Sequence, residues 1–178
     1  MDGRCVLTDP ISSKMSLLVF GIGAIGTYVG GSLALAGHKV VFIEKHEIAE
    51  AVRKSGLQLG IGGIKKTVNH VEVVTTVSEA LALCSFDVAI LAVKSYDTLS
   101  VIESIKPFAQ NFAPVLCLQN GVENEIALKN VLGDDKVIPG TVTTAVGRGD
   151  AGQIVIEKLR GIGIAITHPI VPNLINSF

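Results

Sequence analysis

The residues with the clearest chemical potential form one glycine-rich turn, Gly21-Ile22-Gly23-Ala24-Ile25-Gly26. The turn follows an apolar run at residues 17–20 and opens a stretch of helical spacing that ends at Ala36. In such a strand–turn–helix unit the first glycine permits the tight bend, the second lets phosphate approach the backbone, and the third allows close helix–strand packing. The free N–H groups and positive dipole end of the helix favour an anion. The turn therefore predicts a phosphate-binding site.

A charged pair, Glu44 and Lys45, stands at the end of the next apolar run, residues 40–44. Glu44 follows Gly21 by 23 positions, close to the spacing expected of the acid that hydrogen-bonds the ribose of a dinucleotide. A carboxylate there favours the free hydroxyls of NAD, whereas the Lys45 cation can hold the 2′-phosphate of NADP. The pair leaves both cofactors open. A solvated strand end is the alternative, because His46 and Glu47 continue the polar run.

Two further candidates follow later apolar runs. Lys94 comes after residues 88–93, and Asn120-Gly121 comes after residues 115–119. Ligands of parallel sheets bind beyond the carboxyl ends of the strands, and the Asn120 amide could both donate to and accept from a nicotinamide or substrate group. The alternatives are a surface lysine and an ordinary Asn-Gly turn.

The remaining polar residues do not form a catalytic or metal-binding pattern. His168 precedes Pro169 and is interpreted as a turn or packing residue. Four histidines and three cysteines are dispersed without ligand spacing, so we predict neither a metal site nor a disulfide framework. Reduced thiols in the cytoplasm are the corresponding expectation.

The elements that must position these residues alternate between short β-branched runs and longer helical stretches. This alternation predicts an α/β fold of the Rossmann type, with a doubly wound, mainly parallel sheet. Residues 57–67 predict a hairpin, and residues 153–157 and 161–166 predict two strands at the far edge of the sheet. We expect residues 1–15 to be a disordered extension or a cloning remnant, residues 16–167 to form the nucleotide-binding domain, and residues 168–178 to begin a linker.

Composition excludes several other classes of protein. The chain has 178 residues, of which 48% are hydrophobic and 17% charged, and its net charge is −1. This balance excludes a disordered chain and gives no electrostatic footprint for nucleic acid. Residues 17–37 carry no charge and raise a transmembrane or signal-peptide alternative, but their glycines weaken a membrane helix unless they pack against a partner. We expect no membrane partner.

Four motifs in this order resemble the ketopantoate reductase (2-dehydropantoate 2-reductase) family: GIGAIG, AVKSYDT, LQNGVEN and PGTVTTAVGRGDAGQI. The resemblance extends from about Ser16 to Phe178. Four ordered motifs are far more specific than the glycine turn, which many dehydrogenases share. Enzymes similar to 6-phosphogluconate dehydrogenase are the near neighbours.

The resemblance implies NADPH-dependent reduction of 2-dehydropantoate to pantoate, on the cytoplasmic route to pantothenate and coenzyme A. It implies that residues 21–26 hold the pyrophosphate, that Lys45 holds the 2′-phosphate, and that Lys94, Asn120 and Ala145 line the cofactor. Asn120 would also contact the substrate. The family usually has arginine where Lys45 stands and lacks an acid before it, so NADH use stays open.

The resemblance also places the general-acid lysine and the substrate-clamping residues in a helical carboxyl-terminal domain, beyond Phe178. We therefore expect this chain to supply the cofactor-binding half, without a catalytic residue of its own. On its own it should bind a nucleotide weakly, turn over no ketopantoate, and self-associate through an apolar patch. The alternatives are a Rossmann module that binds a nucleotide without chemistry, and a reductase of another 2-oxo acid.

Overall fold

The computed structural model describes residues 14–119 and 122–178. These residues form eleven strands, in chain order β1 Ser16–Phe20, β2 Lys39–Ile43, β3 Leu57–Ile61, β4 Ile64–Val68, β5 Glu72–Val74, β6 Val88–Leu91, β7 Val115–Cys117, β8 Val137–Val142, β9 Ala145–Arg148, β10 Gln153–Lys158 and β11 Ile162–Ile164. They also form six α-helices, α1 Ala24–Leu35, α2 His46–Ser55, α3 Val77–Leu83, α4 Thr98–Ile105, α5 Val122–Leu132 and α6 Val171–Ile175.

The main sheet of the described chain has seven strands in the order β11-β8-β7-β6-β1-β2-β5. All neighbours are parallel except β11, which runs antiparallel to β8. Counted within this sheet, its six parallel strands follow the order 3-2-1-4-5-6, which is the Rossmann order. The strand order reverses between β1 and β6, and a ligand crevice is expected beyond the carboxyl ends of these two strands. The predicted fold class is confirmed.

The two faces of the main sheet carry separate apolar clusters because successive side chains of a strand point to opposite faces. On β1, Leu17 and Val19 pack into one cluster with α1, whereas Leu18 and Phe20 pack into the other with α3, α4 and α5. Strand β6 is buried along its whole length, as a strand covered on both faces should be.

A second sheet of the described residues has the order β4-β3-β10-β9. The hairpin predicted at residues 57–67 is confirmed as β3 and β4. The prediction that residues 153–157 lie at the far edge of the main sheet is wrong, because β10 pairs with β3, with Ile154 opposite Leu59. Both side chains are buried in the cluster that contains α1. The position of β10 is therefore set by the packing of its buried side chains against α1. Among the described strands, only β11 extends the main sheet beyond β8.

The uncharged stretch at residues 17–37 folds as β1, the glycine turn and α1 rather than as one helix. Glycines bring α1 close to the strands: a Cβ on Gly30 would lie 2.6 Å from the Phe42 ring, and one on Gly31 would lie 2.9 Å from Leu59. In residues 14–119 and 122–178, no helix combines the length and the apolar character needed to span a membrane. Met15, placed in the extension by the sequence interpretation, is buried in the core.

Candidate functional site

The glycine turn connects β1 to α1 at the point where the sheet order reverses. Gly21 has φ +95°, a backbone region that glycine enters at little cost, and its N–H donates to the Ile43 carbonyl at 3.0 Å. A Cβ on Gly26 would overlap the Gly21 carbonyl oxygen. The first and third glycines are therefore required by the protein's own backbone.

Gly23 differs from these two glycines because neither its backbone conformation nor the packing around it requires a glycine. Its φ of −80° suits any residue, and apart from Gly23 and its two chain neighbours no described atom lies within 4 Å of where its Cβ would be. Gly23 is also the N-cap of α1, where no described side chain caps the helix and the first turn contains no acid. A vacant volume in front of uncapped helical N–H groups fits an anion such as a pyrophosphate.

Glu44 is directed at the glycine turn. Its Oε2 accepts a hydrogen bond from the Ile22 N–H at 2.7 Å, and its Oε1 accepts one from the Lys45 N–H at 2.8 Å. The Glu44 N–H donates to the Val74 carbonyl at 3.1 Å. Each carboxylate oxygen therefore accepts one hydrogen bond from the backbone and keeps one further lone pair.

A cleft of about 530 Å³ lies on the β2 side of the turn. Its charged lining residues are Glu44, Lys45, Glu47 and Asp97, and His46 also lines it. The Lys45 ammonium is largely exposed and lies 3.9 Å from a carboxylate oxygen of Asp97, a separation at which an exposed ion pair contributes little free energy. Lys45 is thus available to a ligand that enters this cleft.

A second cleft, of about 450 Å³, lies on the β6 side of the same turn. It is lined by Gly23, Ala24 and Ile25 from the start of α1 and by Lys94 and Tyr96 after β6. Val93 lines both clefts, and Gly21 lines the first. The two clefts therefore adjoin at the glycine turn, an arrangement that suits the two halves of an extended dinucleotide.

Gln119 fixes the loop that carries Lys94. Its amide nitrogen donates to the Val93 carbonyl at 2.6 Å, and its Oε1 accepts from the Thr98 hydroxyl at 3.0 Å. Gln119 and Thr98 are both buried, so these bonds join the end of β7 to the loop after β6.

The clefts bring together most of the predicted cofactor residues. Gly21, Glu44 and Lys45 line the first cleft, and Gly23, Ala24, Ile25 and Lys94 line the second. Ile22, Gly26 and Ala145 line neither: Ile22 is buried and Gly26 packs under Gly21, while Ala145 pairs with Lys158 in the second sheet. Asn120, predicted to contact cofactor and substrate, lies outside the described residues.

His168 and Thr144 have structural roles. The His168 Nδ1 accepts from the Ile170 N–H at 3.1 Å, which confirms the turn interpretation. The Thr144 hydroxyl is buried and accepts from the N–H groups of Arg160 and Gly161. Residues 14–119 and 122–178 contain no cluster of three or more metal-ligating side chains.

The sequence interpretation missed polar residues that line the clefts. Examples in the first are Asp97, Ser100 and Ser104, and examples in the second are Gln119 and Arg148. Asp97 lies in the AVKSYDT motif and Arg148 in the PGTVTTAVGRGDAGQI motif, but nothing in the spacing of these motifs indicates that either residue reaches the glycine turn.

The parallel strand order and the glycine turn at its reversal define a domain of the Rossmann nucleotide-binding class. The model of the ketopantoate reductase PanE/ApbA family matches residues 17–166. The chain belongs to this family of NAD(P)-dependent oxidoreductases.

Individual relatives agree with the family match. A 2-dehydropantoate 2-reductase of Pyrococcus abyssi is 34% identical over 155 residues, which is 87% of this chain and 48% of that protein. The crystal structure of a PanE/ApbA family ketopantoate reductase from Ralstonia eutropha superposes with a TM-score of 0.71 at 32% identity, covering 84% of this chain and 49% of the other. A 2-dehydropantoate 2-reductase from Geobacter metallireducens gives a TM-score of 0.76 at 25% identity, with coverages of 86% and 50%. The chain spans about half the length of the curated relatives that it matches.

Proposed function

We propose that this chain is the NADP-binding part of an oxidoreductase that reduces 2-dehydropantoate to pantoate. The observation that carries the proposal is the open space at Gly23, in front of the end of α1 that no described side chain caps and in the second of the two adjoining clefts. The family match and the reductases among its relatives support the reaction and the substrate class. Membership of a biosynthetic enzyme family is the basis for proposing a place in coenzyme A synthesis in the cytoplasm.

The chain's own residues would bind and orient the cofactor. The N–H groups at the start of α1 and the open backbone at Gly23 would receive the pyrophosphate. Lys45 would bind the 2′-phosphate through a charge-assisted hydrogen bond, and Lys94 would line the opposite half of the cofactor with Asn120. When bound, the nicotinamide supplies a hydride to the carbonyl carbon of a 2-oxo acid. We propose that the proton donor for this step is not among the residues of this chain.

The engagement of Glu44 supports the proposed preference for NADP over NAD. Because its two oxygens accept bonds from Ile22 and Lys45, part of its negative charge is already balanced by backbone dipoles, which reduces repulsion of a 2′-phosphate. The Lys45 side chain, in contrast, projects from the strand end with only a distant partner in Asp97.

The decisive experiment is calorimetric titration of NADPH and NADH into the chain and its Gly23→Asp variant. Aspartate is a favourable N-cap and its Cβ would meet no described atom within 4 Å apart from its chain neighbours, so the variant should be at least as thermally stable as the wild type. Its carboxylate would occupy the pyrophosphate volume and repel the ligand. We expect stability to be kept and binding of both nucleotides to be lost.

Gly23→Ala and Gly23→Asn separate the contributions of size and charge. Alanine should weaken binding less than aspartate, and asparagine, which is isosteric with aspartate but neutral, should fall between them. Undiminished binding to Gly23→Asp would reject the proposed pyrophosphate site. Absence of any nucleotide binding by the wild-type chain would reject the proposed function of this chain.

Lys45→Gln tests the cofactor preference. Loss of one charge-assisted bond should weaken NADPH binding about tenfold, with little effect on NADH. Lys54→Gln, a change of the same charge at an exposed position near the end of α2, is the matched control. An equal loss for both nucleotides would argue against a 2′-phosphate contact.

Two further proposals concern the chain on its own. It should show no reduction of 2-dehydropantoate above a control without protein, which a steady-state assay checks.

The chain on its own should also self-associate, because Leu159, Ile175 and Phe178 are exposed apolar residues that line one groove. Light scattering that shows a monomer at high concentration would count against self-association.

A further inference from the structure

The cleft on the β6 side of the glycine turn contains a second cation. Lys94 lines it after β6, and Arg148 lines it from β9 of the second sheet. Among the described residues that line this cleft there is no carboxylate. The cleft on the β2 side, in contrast, is lined by three acids, Glu44, Glu47 and Asp97.

Neither cation is neutralised by an acid in the part of the chain that the structure describes. Within residues 14–119 and 122–178, Lys94 and Arg148 belong to no ion pair. The Lys94 ammonium lies 5.7 Å from the centre of the Tyr96 ring, a contact that leaves its charge in place. Two such cations and the positive end of α1 therefore line one cleft, which favours a negatively charged occupant.

The backbone around Arg148 sets its position. Arg148 is the last residue of β9 and pairs with Ile154 of β10. The turn that follows is closed by the Gly149 N–H, which donates to the Gln153 carbonyl at 2.9 Å. Ile154 is anchored in the core beside α1. The packing that places β10 against α1 thus also places Arg148 beside the start of that helix.

We propose that Arg148 is an anion-binding residue of this cleft, acting together with Lys94 on the oxygens of a phosphate or carboxylate. The proposal rests on the proposed function of the chain. A guanidinium can bind two such oxygens at once through parallel N–H donors. The anion has two sources in the proposed reaction, the pyrophosphate of the dinucleotide and the carboxylate of the 2-oxo acid.

The test compares Arg148→Gln with Arg160→Gln. Both variants remove one positive charge from an exposed arginine, but Arg160 does not line the cleft. Arg160→Gln therefore measures how far the change in net charge alone affects binding. NADPH is titrated into each chain by calorimetry. 2-Dehydropantoate is then titrated in the presence of saturating NADP⁺. Arg148→Lys keeps the charge but lacks the two parallel N–H donors of a guanidinium, so it should restore only part of any lost affinity.

A loss of about tenfold or more in NADPH affinity for Arg148→Gln alone would assign the residue to the dinucleotide. A loss confined to the 2-dehydropantoate titration would assign it to the substrate carboxylate. If the wild type binds NADPH and Arg148→Gln matches Arg160→Gln in every titration in which the wild type binds the ligand, the inference is overturned and the proposed function stands. If the wild type binds none of these ligands, both are overturned.

Discussion

The Glu44 carboxylate and the Ile22 N–H are joined by a hydrogen bond of 2.7 Å between Oε2 and N. This bond connects the carboxyl end of β2 to the glycine turn after β1. The spacing of Glu44 from Gly21 indicates an acid that hydrogen-bonds a ribose, and the structure places that acid at the first cleft. Glu44 also has a structural role, because its hydrogen bond to the Ile22 N–H stabilises the turn that would receive the pyrophosphate.

Glu44→Ala should destabilise the chain, because it leaves the partly buried Ile22 N–H without its acceptor. We expect a loss of about 1–2 kcal/mol in the free energy of unfolding, measured by urea denaturation. Glu44→Gln keeps one amide oxygen as acceptor and should cost less. Equal stability of Glu44→Ala and the wild type would mean that this bond contributes nothing to folding.

Glu44→Gln also bears on the cofactor preference. Glu44→Gln removes a negative charge next to Lys45 and should raise the ratio of NADPH to NADH affinity by several-fold, roughly the effect of one nearby charge in a solvated site. Calorimetric titration of both nucleotides measures the ratio. A ratio that falls in Glu44→Gln would show that the carboxylate supports the 2′-phosphate site.

Gly26→Ala should destabilise the chain strongly, since the new Cβ would overlap the Gly21 carbonyl oxygen. Alanine improves helix propensity by about 1 kcal/mol relative to glycine, but the overlap forces the turn away from α1, and we expect a net loss of roughly 1–3 kcal/mol. Gly23→Ala is the matched control and should be neutral or stabilising. Urea denaturation of the two variants would contradict this assignment if their order were reversed.

The sequence predicts those parts of the fold that depend on local periodicity. The runs that became β1, β2 and β6 are apolar and short, and the glycine turn has a fixed place between the first strand and helix. The second sheet is different, because nothing local to residues 153–157 distinguishes pairing with β3 from pairing at the far edge of the main sheet. The choice depends on Ile154 and Leu59 meeting over α1, a contact between distant parts of the chain.

The candidate site divides in the same way. Gly23, Lys45 and Lys94 are identified by motif and by position at strand ends. Arg148 is not, because it reaches the second cleft only through the second sheet. Ala145 belongs to the same sheet and pairs with Lys158, away from both clefts.

Replacing Thr27 or Thr98 by valine should change the free energy of unfolding in opposite directions. Both are buried, but the Thr27 hydroxyl has no hydrogen-bond partner among the described residues, whereas the Thr98 hydroxyl bonds to Gln119. Thr27→Val removes an unsatisfied polar group at nearly constant shape and should raise the free energy of unfolding by about 1 kcal/mol. Thr98→Val should lower it by about 1–2 kcal/mol, because the Gln119 amide loses its partner. Thermal unfolding that showed Thr27→Val to be the less stable variant would contradict this account.

The Glu79 carboxylate makes the stability of the start of α3 depend on pH. The Thr75 N–H donates to Glu79 Oε2 at 2.8 Å, and this bond, with those from the Thr75 hydroxyl and the Thr76 N–H, lowers the pKa of Glu79 below its ordinary value of 4.5. Thr76 completes the capping box by accepting from the Glu79 N–H at 3.1 Å. Because the folded state holds the ionised carboxylate, the stabilisation is fully present above pH 4.5 and is lost as pH falls through the lowered pKa.

Glu79→Gln should therefore melt at a lower temperature than the wild type near neutral pH, and the gap should close as the pH falls below 4.5. Glu103→Gln, in an exposed ion pair with Lys106, removes the same charge from a position without a capping role, and its melting temperature should stay close to that of the wild type. Thermal melts of the three proteins from pH 3 to pH 7 measure the gap. A gap that widened toward low pH would mean that the protonated side chain, not the carboxylate, is the form that the capping box holds.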